Sequence, residues 1–405
     1  MLLEHNSGEA GLFKEQSAVR ILAINSIEEL RSHESALDDL AKSATEANVF
    51  LESWMFFPAL EAFGRRKRIV FLLFFEEDPK GSRLCGFMPL QRRTWFHGLP
   101  FPTLALWNYP HSFLATPLLR KGYAGEVVDA FFAWVKNRRR GALLLELPRI
   151  SCIGDLHISL ERTLQQDRLV TADSRYERAL FRPRESAELY FEEALSKKRR
   201  KEFRRLERQL SGIGTLAVDR MDAGADPAVW IEEFLRLELA GWKGRKGTAF
   251  AAQNENRTFF RKIAEAAALR GRLEMLALRL DGRAIAMKCN LLAKNGGFAF
   301  KIAYDEQFHQ YSPGVLLELA QIRWLHADPA RQWMDSCADP GHFMINRLWL
   351  DRRPLRTLVV STGHPFGNAA VRIVRFLKFI YRFRNRSRPE HGKRDYKSVF
   401  PLSTQ

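Results

Sequence analysis

The sequence predicts an α/β protein of two successive halves, each with helices flanking a mixed, largely antiparallel central sheet. Three observations lead there. The chain has 405 residues, the length of two ordinary domains. Its hydrophobic share of 46%, with 30 Phe and 9 Trp, supplies material for extensive cores. Apolar strand-like runs and amphipathic helical segments follow one another in the same order twice, which suggests a duplicated fold with two sheets, not one giant sheet.

In the first half, residues 1–18 read as a loose arm and VRILAIN (19–25) as a strand. Ser26 opens a helix, with Glu28 and Glu29 favourable in its first turn. A second helix runs over 51–64 and closes at Gly64. RIVFLLFFEE (68–77), a DPKGSR turn and LCGFMPLQRRTW (84–95) form a hairpin, and TLALWNY (103–109) adds a strand. Val127, Val128, Phe131, Phe132 and Val135 give helical period over 122–141. A buried strand over 142–150, a helix over 153–168 and a strand over 169–181 complete the half, whose domain spans 19–185.

The second half, 186–365, repeats the order. A helix at 196–210 and a strand at 215–221 precede a helix at 226–244, with Pro227 in its first turn, and another at 255–271. RLEMLALRL (272–280), an Asp281-Gly282 turn and RAIAMKCNLLAK (283–294) form a hairpin, and Asn295-Gly296-Gly297 turns into FAFKIAY (298–304). A helix over 312–326, a strand over 331–337 and a strand over 357–362 follow.

Composition narrows the function classes. No run reaches the roughly 18–20 apolar residues of a membrane span, and the acidic, non-basic start is not a signal peptide, so the expected location is the cytoplasm. Cys85, Cys152, Cys289 and Cys337 stand singly, without zinc or disulfide spacing, so no metal is expected. A net charge of +17 points to anionic partners: nucleic acid, acidic lipid or a phosphorylated cofactor.

SKKRRKEFRRLERQL, RLELAGWKGRKGTAF, the 272–319 stretch with its Tyr-Asp-Glu and Tyr-Ser-Pro-Gly strings, and WMDSCADPGHFMINRLWLDRR resemble the BioF2-like, or CelD-type, acetyltransferase family of the GNAT superfamily. The resemblance covers roughly 186–365, and more weakly NVFLESWMFFPAL and LCGFMPLQRR; tandem GNAT-like halves also occur in Fem-type peptidyltransferases. It implies tandem GNAT-like domains and transfer of an acyl group from acetyl-CoA or another acyl-CoA to an amine or hydroxyl of a small-molecule or glycan acceptor, with a link in some members to polysaccharide or cell-envelope synthesis. In such folds the thioester wedges between two splayed central strands, with its pyrophosphate at the start of the helix after the fourth strand.

The residues fit that position. Ser312 can cap a helix, Pro313 suits its first position and Gly314 leaves the backbone uncovered, so the N–H groups of Gly314, Val315 and Leu316 are expected to face an anion. An ordinary helix start reads the same way. With Lys301 on the preceding strand, Ser312, Gly314, Val315 and Leu316 are the candidate donor-binding residues. The usual phosphate loop, Gln/Arg-x-x-Gly-x-Gly/Ala, is not reproduced: Gln310–Gly314 carries one glycine at another spacing, and Arg120–Gly125 also misses it, so the first half is read as having lost its site.

Acyl transfer needs a proton acceptor and a donor for the leaving thiolate. Asp335, in an otherwise apolar strand where burial would raise its pKa, and Glu238 are the candidate acids; Tyr304 and Tyr311 are the candidate proton donors. Trp242, Lys243, Asp305 and Glu306 are the candidate acceptor-binding residues. Each carboxylate has the alternative of a surface or capping role. Cys337 and His342 also raise a nucleophilic Cys–His arrangement, without an evident orienting group.

Two basic segments remain. Lys197–Arg208 surrounds Phe203 and Leu206 on an amphipathic helix and reads first as a solvated face. In 370–384, Arg372, Arg375, Lys378 and Arg382 form a stripe beside Val371, Val374, Phe376, Phe379, Ile380 and Phe383; this helix either docks on the body, the favoured reading, or lies on an anionic membrane, which would make the protein peripheral at the inner face of the membrane. Disorder is expected from Asn385 onward. Two further functions compete with CoA-dependent transfer: a Fem-like transferase fed by aminoacyl-tRNA, the one nucleic acid considered, and a non-catalytic accessory protein.

Overall fold

The computed structural model describes residues 19–78, 81–137, 141–167 and 169–386; the expected arm over 1–18 and the tail beyond 386 lie outside the described residues. The first half runs β1 (Val19–Ile24), α1 (Ile27–Arg31), α2 (Glu34–Ser43), α3 (Ser53–Phe63), β2 (Arg68–Asp78), β3 (Gly81–Arg93), β4 (Thr103–Leu106), β5 (Leu118–Leu119), α4 (Ala124–Asn137), β6 (Leu144–Ser151), α5 (Gly154–Gln166) and β7 (Thr171–Phe181). The second runs α6 (Ala187–Ala194), α7 (Lys197–Ser211), β8 (Leu216–Arg220), α8 (Pro227–Ala240), α9 (Trp242–Arg245), α10 (Asn254–Leu269), β9 (Leu273–Leu280), β10 (Arg283–Ala293), β11 (Gly296–Tyr304), α11 (Pro313–Ala327), β12 (Trp333–Asp335), α12 (Ile345–Leu348), β13 (Asp351–Ser361) and α13 (Gly367–Arg386).

Local chemistry sets most boundaries. Ser26 accepts from the Glu29 N–H, Ser186 from Leu189, Ser196 from Arg199 and Asp226 from Ala228, each satisfying a helix-start N–H. The predicted helix over 226–244 is broken: Gly241 is extended (ψ −171°) and separates α8 from α9. The helix expected from Ser26 is likewise two short ones, and the strand expected at 357–362 begins at Asp351.

The sheet differs from the expected pair. It is continuous, in the order β1-β2-β3-β4-β6-β13-β7-β12-β11-β10-β9-β8, with β5 on β3. Each half builds an antiparallel meander followed by one parallel pair, β4 with β6 and β11 with β12. The halves then exchange their last strands: β13 pairs with β6, β7 pairs with β12, and β7 and β13 pair with each other along their length. Those ladders close the two central edges that separate sheets would expose. Below one face the halves share a core that includes Phe50, Tyr109 and Phe87 from the first and Phe250, Phe260 and Phe300 from the second.

The candidate site at the parted strands

β11 and β12 pair over only three positions, Gly296 with Trp333, Gly297 with Met334 and Phe298 with Asp335. Beyond Phe298 the two strands are no longer paired. At the same point the β10–β11 register slips between Cys289 and Leu291, so that Ala299 and Phe300 stand opposite Asn290 alone. This β-bulge sends Lys301 to the face that already holds Phe300. The Asn290 Oδ1 beside it is buried without a partner.

Lys301 is the centre of the arrangement. Its Nζ lies 4.9 Å from the Phe250 ring centroid, 5.4 Å from Phe113 and 5.7 Å from Phe300. Among the described residues no carboxylate pairs with it. Burial, reinforced by the neighbouring Lys243 ammonium, lowers its pKa from 10.5 to about 8, against the pull of Glu238. Phe113 comes from the first half and Phe250 from the second, so both halves build the cage. Beside it, His111 stacks on Phe259 at 5.6 Å and sets Nε2 3.1 Å from Asn256 Oδ1; burial and the Lys301 charge push its pKa down to about 3.

Glu238 is buried and fully engaged. One oxygen accepts from Lys243 Nζ at 3.0 Å, the other from the Phe250 N–H at 2.8 Å. Lys243 Nζ also donates to the Ile302 carbonyl at 2.8 Å, tying α9 to β11 just past the bulge. At the end of β11, Asp305 pairs with Arg283 and Glu306 with Arg245, while the Trp242 N–H donates to Glu306 at 2.6 Å. Asp305, Glu306, Gly241 and Arg245 line an open groove of about 420 Å³. Four sequence-predicted residues, Glu238, Lys243, Asp305 and Glu306, are thus gathered around one end of β11, and the Trp242 ring stays partly exposed under the Lys246 ammonium.

Other sequence-predicted residues are placed differently from expectation. Asp335 is fully buried, and burial does favour its neutral form, but the guanidiniums of Arg178 and Arg353, at 2.6 and 2.5 Å, hold its pKa below the ordinary carboxylate value instead of raising it. Its other oxygen accepts from the Cys337 N–H at 2.9 Å. Ser312 does not cap α11 through its side chain. It ends the preceding 3-10 turn (Glu306–Tyr311) in a left-handed conformation, φ 52°, and its carbonyl takes the Val315 and Leu316 N–H groups; the Gly314 amide has no backbone acceptor among the described residues. Tyr304 and Tyr311 pack beside Leu316 and Phe308 near the start of α11, apart from the Lys301 cage. Cys337 and His342 form no bonded pair among the described residues: burial raises the thiol's pKa and lowers the imidazole's.

The first half offers the contrast. β4 and β6 also pair over three positions, ending on Ala105 with Glu146 as β11 and β12 end on Phe298 with Asp335. Its β3–β4 register is unbroken. Past the seam, Leu106, Leu147, Met88, Val128 and Phe131 leave a void of only about 10 Å³. Glu146 is buried like Asp335 and held ionised, by His97 and Arg93 at 3.0 Å each.

Residues 197–343 match the family model described as an acetyltransferase (GNAT) domain. The matched segment contains the bulge, Lys301 with Phe250 and Phe300 of its cage, and the start of α11, and the first half repeats its strand order. A conserved protein of unknown function from Bacteroides thetaiotaomicron shares the fold at a TM-score of 0.50 and 10% identity, over 84% of this chain and 100% of that one. FemX does so at 0.50 and 10%, over 83% and 96%. A tandem GNAT protein from the clavulanic acid biosynthesis pathway aligns at 0.42 and 12%, over 85% and 99%. No curated protein matches the chain. Among the described residues no group of three or more His, Cys, Asp or Glu side chains could hold a metal ion.

Phe113, Phe250, His111, Arg178 and Arg353 do not stand out in the sequence. Each acts across a long separation in the chain, and no local pattern marks it.

Proposed function

We propose that the protein transfers an acyl group from an acyl-CoA to an amine or hydroxyl acceptor, with the reacting carbonyl held where β11 parts from β12. The observation that carries this reading is the coincidence of a parallel seam ending at Phe298 with a bulge at Ala299–Phe300, because it leaves strand backbone free to bind a ligand in the middle of a sheet. Acyl-CoA would supply an activated thioester. The Gly314 N–H at the start of α11 would receive a phosphate, and Lys301, mostly protonated near neutral pH and shielded by three rings, would offer a proton and positive charge to the departing thiolate. Glu238 holds Lys243 and the Phe250 backbone in place and serves here as a positioning residue, and Asp335 serves the sheet. The groove beside Asp305 and Glu306 would admit the acceptor; the BioF2-like and CelD-type resemblance favours a precursor of polysaccharide or envelope synthesis.

A second reading, a Fem-like transferase taking its donor from aminoacyl-tRNA, is favoured by the fold shared with FemX and by the exposed basic face of α7, which packs against the 3-10 turn before α11. Calorimetry with acetyl-CoA and CoA separates the two. Micromolar, saturable binding that Gly314→Glu abolishes and Gly314→Ala keeps supports the CoA reading; a Cβ at Gly314 meets only ordinary contacts, at 3.6 and 3.8 Å. Absence of binding by folded protein rejects it. Binding of charged tRNA with steep salt dependence would then support the second, and binding of neither would leave an accessory role.

A further inference from the structure

α13 docks on the sheet and leaves its other side apolar. Ala370, Val371 and Val374 enter a core with Phe96, Leu144 and Val359, and Lys378 Nζ donates to Ser174 at 2.9 Å. The favoured docking of 370–384 is therefore seen for its inner face, while the side chains of Arg382 and Phe383 lie outside the described residues. On the outer face Ile373, Phe376 and Ile380 recur at helical spacing, 45, 62 and 36% exposed. Arg372 and Arg375 flank them, and among the described residues neither has a carboxylate partner. Phe366, just before the helix, is also exposed.

The same end of the sheet carries more of both kinds of group. Trp95 is exposed beside the buried Phe96 that packs under α13. Arg68 and Arg92 are register partners at the ends of β2 and β3, and Arg65, Arg66 and Lys67 precede them, all exposed. Exposed aromatics bordered by exposed arginines suit a bilayer interface, where rings enter the headgroup boundary and guanidiniums meet lipid phosphates. A second copy fits poorly, because a twofold contact through this face would set Arg372 and Arg375 against like charges. Among the described residues no helix is long and apolar enough to cross a membrane.

We infer that the outer face of α13, with Trp95 and the Arg65–Arg68 run, seats the protein on a membrane surface rich in anionic lipid. This is independent of the acyl donor. The test is co-sedimentation of the full chain with phosphatidylcholine vesicles, with and without phosphatidylglycerol, comparing wild type with Ile373→Ser/Phe376→Ser and Arg372→Gln/Arg375→Gln. Wild type should bind the mixed vesicles and release in salt. The arginine pair should weaken binding about fivefold per charge, roughly 25-fold together, and the apolar pair should reduce it at all salt concentrations. All substituted positions are exposed, so urea midpoints should stay at the wild-type value and certify folding. Equal binding to uncharged vesicles, no binding at low salt, or unchanged binding by either variant overturns the inference. So does lipid-free self-association that Ile373→Ser/Phe376→Ser abolishes, since it would make the face a subunit contact.

Discussion

A lysine kept in an aromatic cage has a stability cost that can be measured apart from any activity. Lys301 titrates near 8 in the folded protein and at its ordinary 10.5 when exposed. A tenfold loss of proton affinity corresponds to about 1.4 kcal/mol, so the half-buried ammonium costs at most about 3 kcal/mol, and contact with three rings returns part of that. The sign follows from proton binding. Below about pH 8 both states hold the proton and the penalty is complete. Between about 8 and 10.5 the unfolded chain binds a proton that the folded chain has released, so stability rises with pH; above that range the penalty is gone. Lys301→Met keeps the stem and removes the charge. Urea unfolding should find it more stable than wild type by about 1–3 kcal/mol near pH 7, with a gap that closes as the pH rises, while acyl transfer is lost. A variant less stable than wild type near pH 7, or a gap indifferent to pH, refutes this reasoning.

Other perturbations follow from the same contacts. Asp335→Asn removes the carboxylate from two buried guanidiniums and should cost about 3–5 kcal/mol by urea unfolding; because the native pKa is depressed, wild type should lose that advantage as pH falls below about 4, through the folded value, and the variant should not. His111 has its pKa pushed down to about 3, so it contributes a loss of stability as pH drops below 6.5, about 1.4 kcal/mol for each tenfold rise in acidity, which His111→Phe should remove in an acid titration of the unfolding midpoint. In Gly296→Ala the new Cβ would lie 2.2 Å from the Trp333 ring, so the start of the β11–β12 seam must shift; a loss of about 1–3 kcal/mol and a changed tryptophan emission are expected.

How far the sequence leads depends on how local the determinant is. The two meanders, their hairpins and most helices are legible because period and capping residues lie within one element. The single sheet is not: exchange of β7 and β13 is a pairing between the ends of two halves, invisible to any window of sequence. Glu238, Lys243, Asp305 and Glu306 stand out together, yet Glu238 reads as a base when two donors already occupy it. Burial alone makes Asp335 read as a raised acid, while the residues that decide its charge, Arg178 and Arg353, sit on two other strands. Ser312 carries a capping residue's identity but a left-handed backbone, because the 3-10 turn before it has to end there.

The repeated seam separates what belongs to the fold from what belongs to the site. Both parallel pairs finish on a buried acid held ionised by cationic neighbours, Glu146 in the first half and Asp335 in the second. Past the seam of the first half, among the described residues, apolar side chains leave about 10 Å³, yet this half keeps its acid. A catalytic duty cannot account for Glu146, whereas closing a short parallel ladder accounts for both carboxylates equally. The features without a counterpart are the bulge, which the unbroken β3–β4 register lacks, and the lysine it turns into the shared core. Whatever chemistry the second half performs should therefore depend on Ala299–Lys301, and a variant that removes the acid should lose activity only to the extent that it loses the fold.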